Sequence, residues 1–110
     1  MSDFGALILF GKDSANLSSD KRAIILDSIN DTVQKGIFPA HIQEKQYTEL
    51  SEWDDNSLCL KLTEYYDDDY RDEIWEFAQE EDLEEAKKLI SAIKPKLGMA
   101  LQISAIFTDW

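Results

Sequence analysis

Apolar and polar positions alternate or recur with two periods along this chain. Phe4 to Phe10 is almost wholly apolar on both faces and ends at Gly11, which predicts a central strand covered on at least one side. Asp13 to Leu17 follows as a loop. Ser18 or Ser19 is placed to cap a helix, with Asp20 in its first turn. Ile25, Leu26, Ile29 and Val33 then fall at helical spacing, and Gly36 suits the position just past the end. Ile37 to Leu50 is ambiguous. Pro39 breaks it early, and Ile42 to Tyr47 fits either a polar edge strand or a short helix. Asp54-Asp55-Asn56 is turn chemistry. Leu58, Leu60 and Leu62 alternate with Cys59, Lys61 and Thr63, as in a half-buried strand.

A second helix is expected from Asp82, a candidate N-cap with Glu85 three residues on. Leu83, Ala86, Ile90, Ile93 and Leu97 would form its apolar face. Pro95 should end the regular ladder near Lys94 or kink it, and Lys94, Lys96 and Gly98 suit a C-terminus. Leu101 to Phe107 closes the pattern as a strand, with Leu101, Ile103, Ala105 and Phe107 on one face. The order is strand, helix, strand, strand, helix, strand. It predicts an α+β single domain over residues 1–110: a two-layer β-α-β-β-α-β sandwich of the ferredoxin-like kind. Such a sandwich has an antiparallel sheet with two helices on one face and the first and third strands central.

Length and composition narrow the class. One hundred and ten residues support one core, and an apolar fraction of 44% is too high for a disordered acidic tail. No apolar run approaches the roughly 18–20 residues of a membrane span. No basic region precedes Ala6–Phe10, which argues against a signal peptide. A single cysteine, Cys59, excludes an internal disulfide and fits a reducing, cytoplasmic compartment.

Charge changes the picture. The chain carries a formal −12, and Glu64 to Glu85 alone holds twelve carboxylates against one base, Arg71. Charge packed this locally repels itself and opposes compaction. It also argues against direct contact with nucleic acid or anionic lipid. The same segment holds Tyr65, Tyr66, Tyr70, Trp75 and Phe77. Aromatics anchor interfaces and charge steers the approach, so the combination points to a basic protein partner. Asp67, Asp68, Asp69, Tyr70, Asp72, Glu73, Trp75 and Glu76 are the expected contact residues. They lie between predicted elements, where no helix dipole asks for acids. The acids at the start of the second helix have a plainer use in the dipole and in a Glu84–Lys88 pair. A short extra strand or turn of helix could bury both Trp75 and Phe77; Trp75, beside Ile74, is expected half-buried as an anchor, whereas Tyr70 should be exposed.

Catalytic and metal patterns are weak. His41, the only histidine, has no sequence partner that implies function, and Cys59 sits among leucines with no neighbour that would activate it. Counting an EF-hand loop from Asp67 puts Asp72 at the sixth position and Ala78 at the twelfth, where glycine and glutamate belong. Neither a glycine-rich phosphate loop nor zinc-ligand spacing is present. No enzyme, no cofactor and no metal are expected.

In general character the chain resembles the small acidic immunity proteins of bacterial toxin systems: one α/β domain, heavily acidic, aromatic-rich and without catalytic residues. The resemblance is to a class and rests on no aligned motif. It implies an inhibitor that masks the active or substrate-binding surface of a basic toxin such as a nuclease, acting as a monomer or weak dimer. The alternative is a ferredoxin-like small-ligand or regulatory domain that works as a dimer.

Overall fold

The computed structural model describes residues 3–66 and 71–110. Its strands are β1 (Phe4–Leu9), β2 (Ser51–Glu52), β3 (Leu58–Lys61) and β4 (Ser104–Asp109). Its helices are α1 (Ser19–Lys35), α2 (Ala40–Gln43) and α3 (Arg71–Leu97), with a 3-10 turn at Ser14–Asn16 where a loop is expected. The four strands form one antiparallel sheet in the order β2-β3-β1-β4, so β1 and β3 are central.

Each face of the sheet follows from the alternation. Ala6, Ile8 and Phe10 point to the same side as Leu58, Leu60 and Leu62 and meet Ile25, Ile29 and Val33 of α1 and Ala86, Leu89 and Ile93 of α3 in one buried cluster. α1 packs on α3, and α3 packs on β1 and β4. Leu7 and Cys59 lie on the opposite side, yet are also buried. Past β3 the ladder bulges: the Ala6 carbonyl accepts from both Leu62 and Thr63, and the Ala6 amide donates to Thr63 Oγ1 at 3.0 Å. Gly5 makes room for this crowding, since a Cβ there would sit 2.1 Å from the Thr63 carbonyl oxygen.

Ser18 caps α1 by accepting from the Lys21 amide. Gly36 ends the helix in an extended conformation; its lack of a Cβ matters because one would meet the Phe38 ring at 2.7 Å. Gly98, with φ of 63°, turns the chain after α3 in the left-handed region as a helix C-terminus favours.

Three expectations are corrected. In Ile37–Leu50, open in sequence between an edge strand and a short helix, the helix forms as the short α2, an extended segment follows, and the second strand of the sandwich is only Ser51–Glu52. Asn30 replaces a strand partner there, donating to the Tyr47 carbonyl at 2.7 Å and accepting the Tyr47 amide at 3.0 Å. Tyr47 is therefore buried inside the fold, not set on an exposed edge. Secondly, α3 begins at Arg71, eleven residues before Asp82, and runs through Pro95 to Leu97. Proline in the last turn costs only one ladder bond, with the carbonyl of exposed Ser91. Thirdly, the last strand starts at Ser104; Leu101 and Ile103 pack on the core from the approach to it.

Candidate protein-binding surface

From Asp72 onward α3 carries the acidic segment as a helix, and its rotation sorts the side chains. Trp75, Ala78, Asp82, Ala86, Leu89 and Ile93 recur at three- and four-residue steps and face inward. The Trp75 ring is half-buried, 5.3 Å from the Phe4 ring and edge-on to Phe107 at 5.0 Å. Phe77, two residues on, is swung away from that face and is 67% exposed. The two rings are thus not buried together as alternation suggested.

Of the expected contact residues, Asp67, Asp68, Asp69 and Tyr70 lie outside the described residues. Asp72 and Glu73 are exposed in the first turn of α3, and Glu76 is exposed in the second. They belong to a helix, so the dipole does use the first two. The sequence missed the residues that join them. Phe77 stands between two surface depressions. One, of about 580 Å³, is lined by Pro39, Phe77, Glu80, Glu81, Glu84 and Glu85. The other, of about 460 Å³, is lined by Tyr65, Glu73, Ile74, Phe77 and Ala78. Tyr66, 58% exposed, precedes the helix, and Ile37, 89% exposed, lies beyond Glu85, where Lys88 donates to its carbonyl and sits over the Phe38 ring at 4.4 Å. Glu84 pairs with Lys87 at 3.6 Å instead of Lys88, which turns to Glu85 at 3.4 Å. Continuing the three-four rhythm back from Ala86 through Ala78 to Trp75 is the signal that could have exposed Phe77.

Asp82 interrupts that stripe with a carboxylate only 2% exposed. It accepts the Tyr65 hydroxyl at 2.5 Å and faces His41 Nε2 at 3.1 Å, so it ties α3 to the segment after β3, where Tyr65 bridges Phe4, on one side and to α2 on the other. Burial, and then Asp82 itself, push the Tyr65 phenol well above its ordinary value. His41 stands half-exposed at the rim of a depression of about 280 Å³ that Lys45, Thr63, Tyr65 and Tyr66 also line. Burial lowers the Lys45 ammonium, which donates to the Lys61 carbonyl at 3.1 Å. Cys59 is buried and its thiol raised by that burial, opposite to activation. Among the described residues no three histidine, cysteine, aspartate or glutamate side chains converge as a metal site requires, and no helix is long and apolar enough to cross a membrane.

No family model, curated protein or solved structure matches the chain.

Proposed function

We propose that this chain is an acidic protein-binding inhibitor, an immunity protein that neutralises a basic toxin such as a nuclease by covering its active or substrate-binding surface. The observation that carries this is Phe77. A phenylalanine exposed in a ring of Glu73, Glu76, Glu80, Glu81 and Glu84 serves neither the core nor solubility. It has the make-up of an interface: an aromatic anchor within charge of one sign that steers a basic surface onto it. The strand order, which runs β4-β1-β3-β2 from the other edge with every neighbour antiparallel, supports assigning the scaffold to the ferredoxin-like sandwich. On that scaffold α3 lies across β1 and β4 and offers its outer face whole.

The test is neutralisation. The chain, co-expressed with the product of the adjacent reading frame, should relieve that product's toxicity and form a stoichiometric complex with it. Phe77→Ala combined with Glu80→Gln and Glu84→Gln should lose both. Protection that survives those changes would place the interface elsewhere and overturn this assignment.

A further inference from the structure

The sheet has two edges, and they are unlike. β2 closes one with two residues, one of them the exposed Glu52. β4 closes the other with six, Ser104-Ala105-Ile106-Phe107-Thr108-Asp109, which contain no proline and no lysine. Proteins usually protect a strand of that length at a sheet edge, because its outward amides and carbonyls are a template for another strand. The phase of the ladder identifies the outward groups. The Trp110 amide donates to the Asp3 carbonyl, so Asp3–Trp110 is a hydrogen-bonded rung. Rungs alternate in antiparallel pairs. Gly5–Thr108, Leu7–Ile106 and Leu9–Ser104 are then the bonded rungs, and Ala105 and Phe107 turn their backbone N–H and C=O away from β1. Among the described residues no strand pairs with that edge.

What hangs over the edge selects the occupant. Lys96 reaches Thr32 of α1 and Lys88 reaches the Ile37 carbonyl, so that flank of α3 faces α1. Asp72 and Glu76 lie about half a turn round the helix from those lysines, on the flank away from α1. The Trp75–Phe107 contact holds this part of α3 above β4. Asp72 and Glu76, both exposed, therefore overhang the edge on the helix side, while half-buried Ile106 and Thr108 border it on the other side of the sheet.

We propose that the free edge of β4 takes an extended segment of the basic partner as a fifth strand. The segment would alternate lysine or arginine with β-branched apolar residues. Its basic side chains would lie beside Ala105 and Phe107, under Asp72 and Glu76, and its apolar ones beside Ile106 and Thr108. Main-chain bonds to Ala105 and Phe107 supply affinity, and the alternation supplies specificity. A second copy of this chain fits less well, because it would bring two acidic helix starts together across the edge. The inference rests on the basic-partner assignment above and adds the mode of contact.

The probe is a blocked hexapeptide of alternating lysine and valine, added to the ¹⁵N-labelled chain. At saturation, amide hydrogen exchange at Ala105 and Phe107 should slow at least tenfold, and Asp72→Asn with Glu76→Gln should weaken binding at least fivefold. A peptide of three lysines followed by three valines has the same charge and should bind at least tenfold more weakly. Failure of the alternating peptide to bind, or equal binding of the two peptides, overturns the fifth strand. So does binding with both edge amides exchanging freely; if that binding is lost in Glu80→Gln with Glu84→Gln, the acidic-face assignment stands without it. Edge protection by the alternating peptide, combined with neutralisation that survives Phe77→Ala with Glu80→Gln and Glu84→Gln, retains the strand and overturns the Phe77 surface.

Discussion

The Tyr65 hydroxyl donates to a carboxylate oxygen of Asp82 at 2.5 Å, from the segment that follows β3 to the middle of a 27-residue helix. Asp82 takes a place in α3 that the helical rhythm reserves for an apolar side chain, and its acceptors are engaged by Tyr65 and His41. Removing one partner strands the other. Asp82→Leu should cost about 1–3 kcal/mol and Tyr65→Phe a similar amount. The double change Asp82→Leu with Tyr65→Phe should recover most of the loss, since paired polar groups exchanged for apolar ones are often neutral. Urea unfolding of the three variants measures this, and losses that simply add would show that the two residues act independently.

Alkali should destabilise the fold. Burial raises Tyr65, Tyr47 and Cys59 above their ordinary values of 10.0, 10.0 and 9.0. A raised pKa favours the protonated form in the folded state, so its contribution is complete below the ordinary value and is lost as pH climbs through the folded one. Lys45, lowered by burial, opposes this more weakly, because losing its proton relieves the burial. The melting temperature should fall progressively from about pH 9 upward. Tyr65→Phe, although less stable at neutral pH, should show a shallower alkaline fall, and an unchanged slope would mean that Tyr65 does not titrate with unfolding.

Phe77 and Trp75 separate binding from stability. Phe77→Ala should leave the melting temperature within about 1 °C or raise it, and weaken the partner complex by about 2 kcal/mol or more, roughly thirty-fold. Trp75→Ala empties the space between Phe4 and Phe107 and should cost about 3 kcal/mol of stability. Calorimetric melting and titration of both variants decide the matter, and a stability loss in Phe77→Ala would make that ring structural.

Charge on the outer face of α3 should act on association more than on dissociation. Raising salt from low levels to about 0.5 M should slow association with the partner at least several-fold and change dissociation less. Changing Glu73, Glu76, Glu80 and Glu84 to glutamine should reproduce the slower association without salt and leave the fold intact, because like-charge repulsion is relieved. An association rate indifferent to both changes would remove steering from the account.

Two backbone and core positions test the scaffold alone. Gly5→Ala should cost about 1–3 kcal/mol, since its Cβ collides with the Thr63 carbonyl across the bulge. Ile29→Ala, wholly buried between α1 and the sheet, should cost about 2–5 kcal/mol through the cavity it leaves. Urea unfolding measures both, and neither should change affinity for a partner bound at α3.

Local pattern alone determined much of this protein. An unbroken apolar run marked β1 as a central strand, alternation marked β3 as a half-buried one, a serine and a three-four rhythm placed α1, and dense carboxylates marked a solvent-facing segment. Those signals are physical at the scale of a few residues, so no knowledge of the rest of the chain is needed to see them. Tertiary structure decided what local pattern could not. Asp82 breaks the stripe of α3, and only the distant Tyr65 and His41 make a buried carboxylate tolerable there; a helix start read from sequence therefore fell eleven residues late. Asn30 clamps the Tyr47 backbone from seventeen residues away, which turned an expected strand into an extended segment. Placing Trp75 against Phe4 and Phe107 likewise needed both sheet and helix, and it is that contact, with the register of β1 on β4, which left Phe77 outward and the backbone of Ala105 and Phe107 at a free edge.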